Sequence, residues 1–276
     1  MSTQIVRRSV ENVVTLTKKV INPGFSAYRI NSDAVRKFDP FLNCDWFEMS
    51  QPTFPPHPHA GFSAISHLFE DSEGSFTNRD SKGDSSVICP GDTHWTCAAS
   101  GIIHEEIPKE PGVMGKGLQI FLNLASQHKQ TPPAAFKLHS KEVPVYTSPT
   151  GASVRVIAGG TQGVVSPLND SLLTKVTLLD IKLPPGSSFT HALPAEHNAV
   201  ALIINGSASF GSNSAVVIRQ ESVCEFGNDG DVIEMSSAFG ENSPGTIQVY
   251  LFSGLPLNEP IIWMGPFCGN SEEQVK

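Results

Sequence analysis

The sequence predicts an all-β protein built from two antiparallel, jelly-roll-like β-barrel domains, and three observations carry that expectation. Turn-forming residues are abundant, with 23 glycines and 21 prolines against 17% charged residues. Short alternating runs bounded by turn signals dominate, while helical periodicity is scarce. The second half of the chain repeats the pattern of the first. At roughly 100–200 residues per domain, a chain of 276 residues leads to two domains.

In chain order, Phe62 to Phe69 reads as a strand ending at the acidic turn Glu70-Asp71-Ser72-Glu73-Gly74. Ser75 to Arg79 reads as the returning strand of a hairpin. Val87-Ile88-Cys89 runs into the turn tripeptide Pro90-Gly91-Asp92. Gly117 to Leu124 alternates cleanly. Gln127 to Val145 holds Thr131-Pro132-Pro133 and Pro144 and lacks strand character, so residues 131–145 are expected to link domains at 1–130 and 146–276. Beyond it, Leu178 to Leu183 precedes Pro184-Pro185-Gly186, Ala199 to Ile204 runs into Asn205-Gly206, and Gly230-Asp231 echoes Gly91-Asp92. The interval from His59 to Gly74 equals that from His191 to Gly206, 15 residues. His191 therefore stands where His59 does, with Phe189 in place of a partner histidine and no His-x-Glu pair after Asp231. The second half reads as a copy that has lost a site.

That site is carried by His57-Pro58-His59 and His104-Glu105-Glu106. Side chains at i and i+2 of a strand point the same way. His57 and His59 should face one cavity, joined by His104 and Glu106, with Glu105 turned away. Three imidazoles and a carboxylate suit iron, manganese, nickel, copper or zinc. Four protein ligands leave positions open on a metal that takes five or six, as catalytic sites do. A lone His-x-His is common and marks a metal in roughly one case in five. The second pair and the intervening strand-rich segment raise that weight.

Net charge is −8, so the electrostatic footprint of a nucleic-acid binder is absent. Arg7-Arg8 and Lys18-Lys19 read as solvated surface pairs. The opening Met1 to Arg8 lacks the apolar core of a signal peptide. No apolar run nears the ~20 residues that span a bilayer. Five cysteines, Cys44, Cys89, Cys97, Cys224 and Cys268, show no C-x-x-C spacing and read as free thiols in a reducing, cytoplasmic setting.

Several motifs together resemble those of the pirins, bicupins of the cupin superfamily. They are Pro56-His57-Pro58-His59-Ala60-Gly61-Phe62, Pro90-Gly91-Asp92-Thr93-His94-Trp95, Gly101-Ile102-Ile103-His104-Glu105-Glu106, Pro256-Leu257-Asn258-Glu259-Pro260 and Gly265-Pro266-Phe267. The resemblance spans most of the chain in order. It implies two antiparallel barrels, one mononuclear metal in the first, and a degenerate second barrel without metal whose C-terminal tail packs back on the first. It matches His57, His59, His104 and Glu106 to the family's ligands, with Fe(II) expected and Mn, Ni, Cu, Co or Zn as alternatives. Two positions depart from the family pattern. Ala60 stands where many pirins carry a basic residue, and His94 where glutamine is usual.

Some pirins resemble flavonol 2,3-dioxygenases in activity. That implies a quercetin 2,3-dioxygenase-type oxidoreductase, a small flavonol-like aromatic substrate and O2, with Glu106 as general base. The alternative is a non-catalytic, redox-responsive transcriptional or metabolic regulator working through protein contacts. A monomer is expected, without direct nucleic-acid or membrane contact, in the cytoplasm and, in a eukaryote, the nucleus. An enzyme needs an open apolar pocket over the metal; a regulator can have a sealed one.

Other residues carry two readings. His67 shares a face with Ser63, Ile65 and Phe69 and reads as core or as support for a ligand, rather than as a ligand. His94 is a pocket residue or a surface one. Phe47, Phe54 and Trp46 line a pocket or are ordinary core. Asp80 and Asp92 read as turn-formers, and His128, His139 and His197 as loop residues.

Overall fold

The computed structural model describes residues 5–211, 216–237 and 245–276, so Met1 to Gln4 of the opening run lie outside it. Two compact units emerge. One comprises Lys18–Asn31, Pro40–Glu142 and Leu257–Lys276, and the other Met1–Thr17, Ser32–Asp39 and Val143–Pro256.

The first unit holds a seven-stranded antiparallel sheet in the order Ala134–Leu138, Thr93–Cys97, Phe62–Leu68, Gly115–Asn123, Phe41–Met49, Phe25–Asn31, Lys19–Asn22. A four-stranded antiparallel sheet accompanies it, ordered His57–His59, Ile102–Pro108, Phe76–Asp80, Ser85–Ile88. The second unit repeats this plan. Its seven strands run Val10–Thr15, Ser222–Phe226, Asn198–Asn205, Ile247–Gly254, Val176–Leu183, Ser153–Ala158, Val145–Thr147. Its four strands run Ser188–Ala192, Val232–Ser237, Ser207–Phe210, Val216–Arg219. Two-sheet antiparallel barrels of this kind were the expectation.

Three local readings differ from the structure. Phe62–Leu68 and Phe76–Asp80 are not two arms of one hairpin but lie in different sheets. Both edges of Phe62–Leu68 are already occupied, by Thr93–Cys97 and Gly115–Asn123, and every one of its residues is buried. The acidic turn therefore carries the chain from one layer to the other. Residues 131–145 are not structureless: Ala134–Leu138 pairs with Thr93–Cys97, Phe136 facing Trp95. Its short alternation (Ala-Ala-Phe-Lys-Leu) sits behind two prolines that mask it. The opening strand Val10–Thr15 pairs with Ser222–Phe226, so it completes the second unit rather than the first.

One glycine is required by close approach. Gly61 has φ 84°, and a Cβ there would lie 1.7 Å from the carbonyl oxygen of Cys268. That absence of a side chain lets the tail dock: Cys268 N–H donates to the Ala60 carbonyl at 2.9 Å. No helix among the described residues is long and apolar enough to cross a membrane.

Candidate metal centre

The four-stranded sheet of the first unit assembles the site by register. His104 lies directly opposite His57 on one side and Asp80 on the other, while Glu106 lies opposite Asn78. Directly opposed residues share a face, and His104 and Glu106 share one by the two-residue period. The ring centroids form a near-equilateral triangle: His57–His59 4.7 Å, His57–His104 4.8 Å and His59–His104 5.0 Å. One ring nitrogen from each lies within 4.8 Å of the other two.

The polar state of these rings fits a metal. His57 Nδ1 donates to the Pro55 carbonyl at 2.9 Å, so its other nitrogen is the one available to a metal. His59 Nδ1 and His104 Nδ1 are buried without hydrogen-bond partners. Such orphaned nitrogens are costly unless something binds there. Burial, reinforced by the neighbouring His104 and His57 rings, lowers the His59 pKa to about 3. Burial likewise lowers that of His104. Both rings are therefore neutral at physiological pH, the form that ligates.

Glu106 faces the same pocket but stands outside the three-imidazole cluster. Its carboxylate accepts from Ser66 Oγ and lies 3.4 Å from His94 Nδ1. Burial pushes its pKa up, but the His94 and His104 rings and the Ser66 hydroxyl outweigh that and hold it below its usual value. Glu105 turns outward, as its position requires, and pairs with Arg79 at 2.7 Å.

A cavity of about 250 Å³ opens over these residues. Phe25, Phe47, Met49, Phe54, Phe76 and Phe121 supply its apolar wall. Phe47 and Phe54 thus line the pocket, whereas Trp46 stacks on Tyr28 at 4.5 Å outside it. His67 is fully buried and bonded through Nδ1 to Thr93 Oγ1 at 2.9 Å, away from the imidazole triad. His94 is buried between Glu106 and Asp84 rather than on the surface. Asp80 Oδ1 accepts from the Lys82 and Asp84 amides, and Asp92 from those of Cys89 and Ser140, both as turn-formers. His139 is not solitary, since its Nδ1 lies 3.3 Å from Asp92. His128 contacts the neighbouring Gln127 side chain.

Sequence reading missed the polar strip beside the pocket: Arg29, Asn43, Asp45, Ser66 and Gln119. Asn43 and Asp45 alternate with Phe47 and Met49 along one strand, so all four share the inward face. Two polar residues continuing an inward apolar row are the signal that was there to read. Arg29 forks onto both Asp45 oxygens at 2.7 Å, and Ser66 Oγ lies 2.9 Å from Gln119 Oε1.

Known proteins agree with this architecture. The Pirin family model matches residues 25–122 and the Pirin C-terminal cupin domain model residues 178–276. Pirin-like protein 2 of Arabidopsis thaliana is 34% identical over 250 residues, covering 89% of this chain and 74% of its own. Pirin of Homo sapiens is 32% identical over 249 residues, covering 89% and 82%. The crystal structure of quercetin 2,3-dioxygenase from Acinetobacter baumannii shares the fold with a TM-score of 0.83 at 24% identity, over 98% of this chain and 94% of that one. Bacterial pirin YhhW from Escherichia coli, in complex with nickel(II), does so with a TM-score of 0.67 at 13% identity, over 89% and 100%. Two matched family models, relatives above 30% identity and the same pair of barrels place this chain in the pirin family.

Proposed function

We propose that the first barrel binds one divalent metal through His57, His59, His104 and Glu106 and works as a quercetin 2,3-dioxygenase-type oxidoreductase on a flavonol-like aromatic. The observation that carries this reading is the triad of imidazoles, two with orphaned buried nitrogens, beneath an open, phenylalanine-lined cavity. The nickel complex of the Escherichia coli pirin supports a metal in this fold, and iron is the first metal to load. The shared fold of the Acinetobacter baumannii dioxygenase supports the substrate class. A sealed cavity would have favoured a regulator.

Held by His57, His59, His104 and Glu106, a divalent metal would supply the positive charge that acidifies a nearby hydroxyl and the redox chemistry that O2 requires. The protein's residues do the rest. Phe25, Phe47, Phe54, Phe76 and Phe121 hold a planar ring and exclude water. Glu106, ionised at neutral pH, accepts the substrate hydroxyl proton at its carboxylate oxygen. Ser66 and His94 hold that carboxylate in place.

The test is oxygen uptake by iron-loaded protein mixed anaerobically with quercetin and then exposed to air. Glu106→Gln should keep most of its metal and lose turnover on the order of 10²-fold. Glu105→Gln, on the outer face, should change neither. Equal turnover of Glu106→Gln and unmodified protein removes Glu106 as the base. Absence of oxygen uptake by the loaded protein selects the redox-responsive regulator instead. One observation favours that second reading: Trp263, 43% exposed, packs edge-on against Phe62, which packs on His59.

A further inference from the structure

A second group of reactive side chains lies within the first unit, apart from the imidazole triad. Lys129 is 3% exposed, rare for a lysine, and Cys268 is 4% exposed. Lys129 Nζ donates to the Gly61 carbonyl at 2.7 Å and to Asn123 Oδ1 at 2.6 Å. Its third contact is Cys268 Sγ, at 3.7 Å. The ammonium has no spare donor for a bound anion, which excludes an anion site. What remains is the nitrogen–sulfur pair itself.

We propose that Lys129 and Cys268 form an oxidative cross-link in which one oxygen atom joins Nζ to Sγ. Both side chains line a half-open cavity of about 290 Å³, with Gly61, Ala99, Phe267 and Gln274, so dissolved dioxygen reaches them despite their burial. The step balances with dioxygen as oxidant. The neutral amine and the thiol each lose one hydrogen in forming the new N–O and O–S bonds. Those two hydrogens leave with the second oxygen as water, and the nitrogen keeps one N–H; an ammonium must first give its extra proton to solvent. Counted from neutral amine and thiol, the products are one N–O–S bridge and one water. Sulfur and nitrogen each give up one electron pair, and dioxygen takes both.

The surroundings suit this chemistry. Gly61 and Asn123 fix the Nζ position, so little rotamer freedom remains to be lost. Burial lowers the Lys129 pKa, which brings the neutral amine within reach. Burial raises that of Cys268, so the sulfur is not a free thiolate open to general attack. Cys268 N–H holds the Ala60 carbonyl, next to His59, so the bridge would fasten the tail beside the triad.

The experiment compares two portions of full-length protein, one kept anaerobic with a thiol reductant and one exposed to air. Each is denatured with iodoacetamide, digested and read by mass spectrometry. The aerated portion should yield a peptide pair joining Lys129 to Cys268, heavier than the two free peptides by one oxygen less two hydrogens. That species should disappear on later reduction, and one alkylatable thiol per chain should be lost with its formation. Lys129→Arg keeps the positive charge but should leave Cys268 alkylatable. Unlinked peptides after aeration, with Cys268 either alkylated or carried on to sulfinic acid, overturn the proposal. So does a linked peptide lacking the added oxygen, because that is a direct nitrogen–sulfur bond. The unmodified protein decides the matter whether or not Lys129→Arg folds.

Discussion

The two barrels place the same strand pair at the same point and fill it with different chemistry. In the first, His57–His59 lies against Ile102–Pro108 and presents three imidazoles to an open cavity. In the second, Ser188–Ala192 lies against Val232–Ser237, with Phe189 opposite Met235 and His191 opposite Ile233. Phe189, Met235 and Ile233 join one apolar cluster that includes Val156, Leu179, Phe210 and Leu251. The first barrel instead keeps separate clusters, one around Phe25, Phe47, Phe76 and Ile88 and one around Phe62, Ala64 and Cys268. The cavity of the first barrel thus occupies volume that the sister barrel uses for packing. His191 survives as a buried polar residue, its Nδ1 satisfied by Thr161 Oγ1 at 3.0 Å.

The largest expected effect breaks the comparison at its centre. His59→Ala or His104→Ala should weaken metal binding by more than the roughly 10–100-fold that loss of a ligand's supporting partner costs. His191→Ala should leave metal content unchanged, at one per chain. Elemental analysis of the three proteins checks this, and a second tightly held metal would undo the contrast.

Packing should separate the barrels next. Phe189 is 2% exposed, so Phe189→Ala should destabilise the protein by about 3–5 kcal/mol. Phe54 is 41% exposed at the pocket rim, so Phe54→Ala should stay within about 1 kcal/mol and act on substrate affinity instead. Denaturant unfolding and KM distinguish the two.

Acid should then probe both histidines. The His59 pKa is lowered to about 3 and that of His191 to about 4, chiefly by burial. The unfolded chain takes up protons below about pH 6.5, while the native metal-free protein resists them. Stability is therefore full above that pH and falls as pH drops toward the native values, by about 2 kcal/mol per histidine at pH 5. His191→Leu should flatten that dependence without moving the pH at which metal is released. Unfolding curves from pH 7 to 4.5, with and without chelator, provide the measurement.

The smallest effect on metal belongs to His67→Ala. It should leave stoichiometry unchanged, because His67 bonds Thr93 outside the triad. Metal loss matching that of His59→Ala would redraw the ligand set.

The barrels and the triad were legible because period-two alternation and closely spaced ligand pairs are local properties of a sequence. His57 and His59 share a face by covalent geometry, and the glycine and proline turns mark strand ends. Which strand pairs with which is not local. Phe62–Leu68 and Phe76–Asp80 are neighbours in the chain, yet the two-sheet plan sends them to different layers. Val10–Thr15 finds its partner more than two hundred residues away, at Ser222–Phe226. The orientation of Glu106 toward Ser66 and His94 likewise depends on strands brought together only by folding. The inward polar pair Asn43 and Asp45 was readable in principle, but one strand's alternation does not say which face meets a cavity.

The allocation of distant segments to each barrel has a consequence for how the molecule is made. The strand Val10–Thr15, formed early in synthesis, must wait for Ser222–Phe226. Phe267 and Cys268 close over Ala60 and Gly61, more than two hundred residues earlier in the chain, beside His59. Vectorial synthesis usually lets an N-terminal domain fold before the next is complete. Here neither barrel can finish until segments more than two hundred residues apart have both been made, and the half that bears the triad is closed by residues 257–276. A nascent chain stalled before residue 257 should therefore expose an unfinished site, and full metal affinity should arrive only once Phe267 and Cys268 have been added.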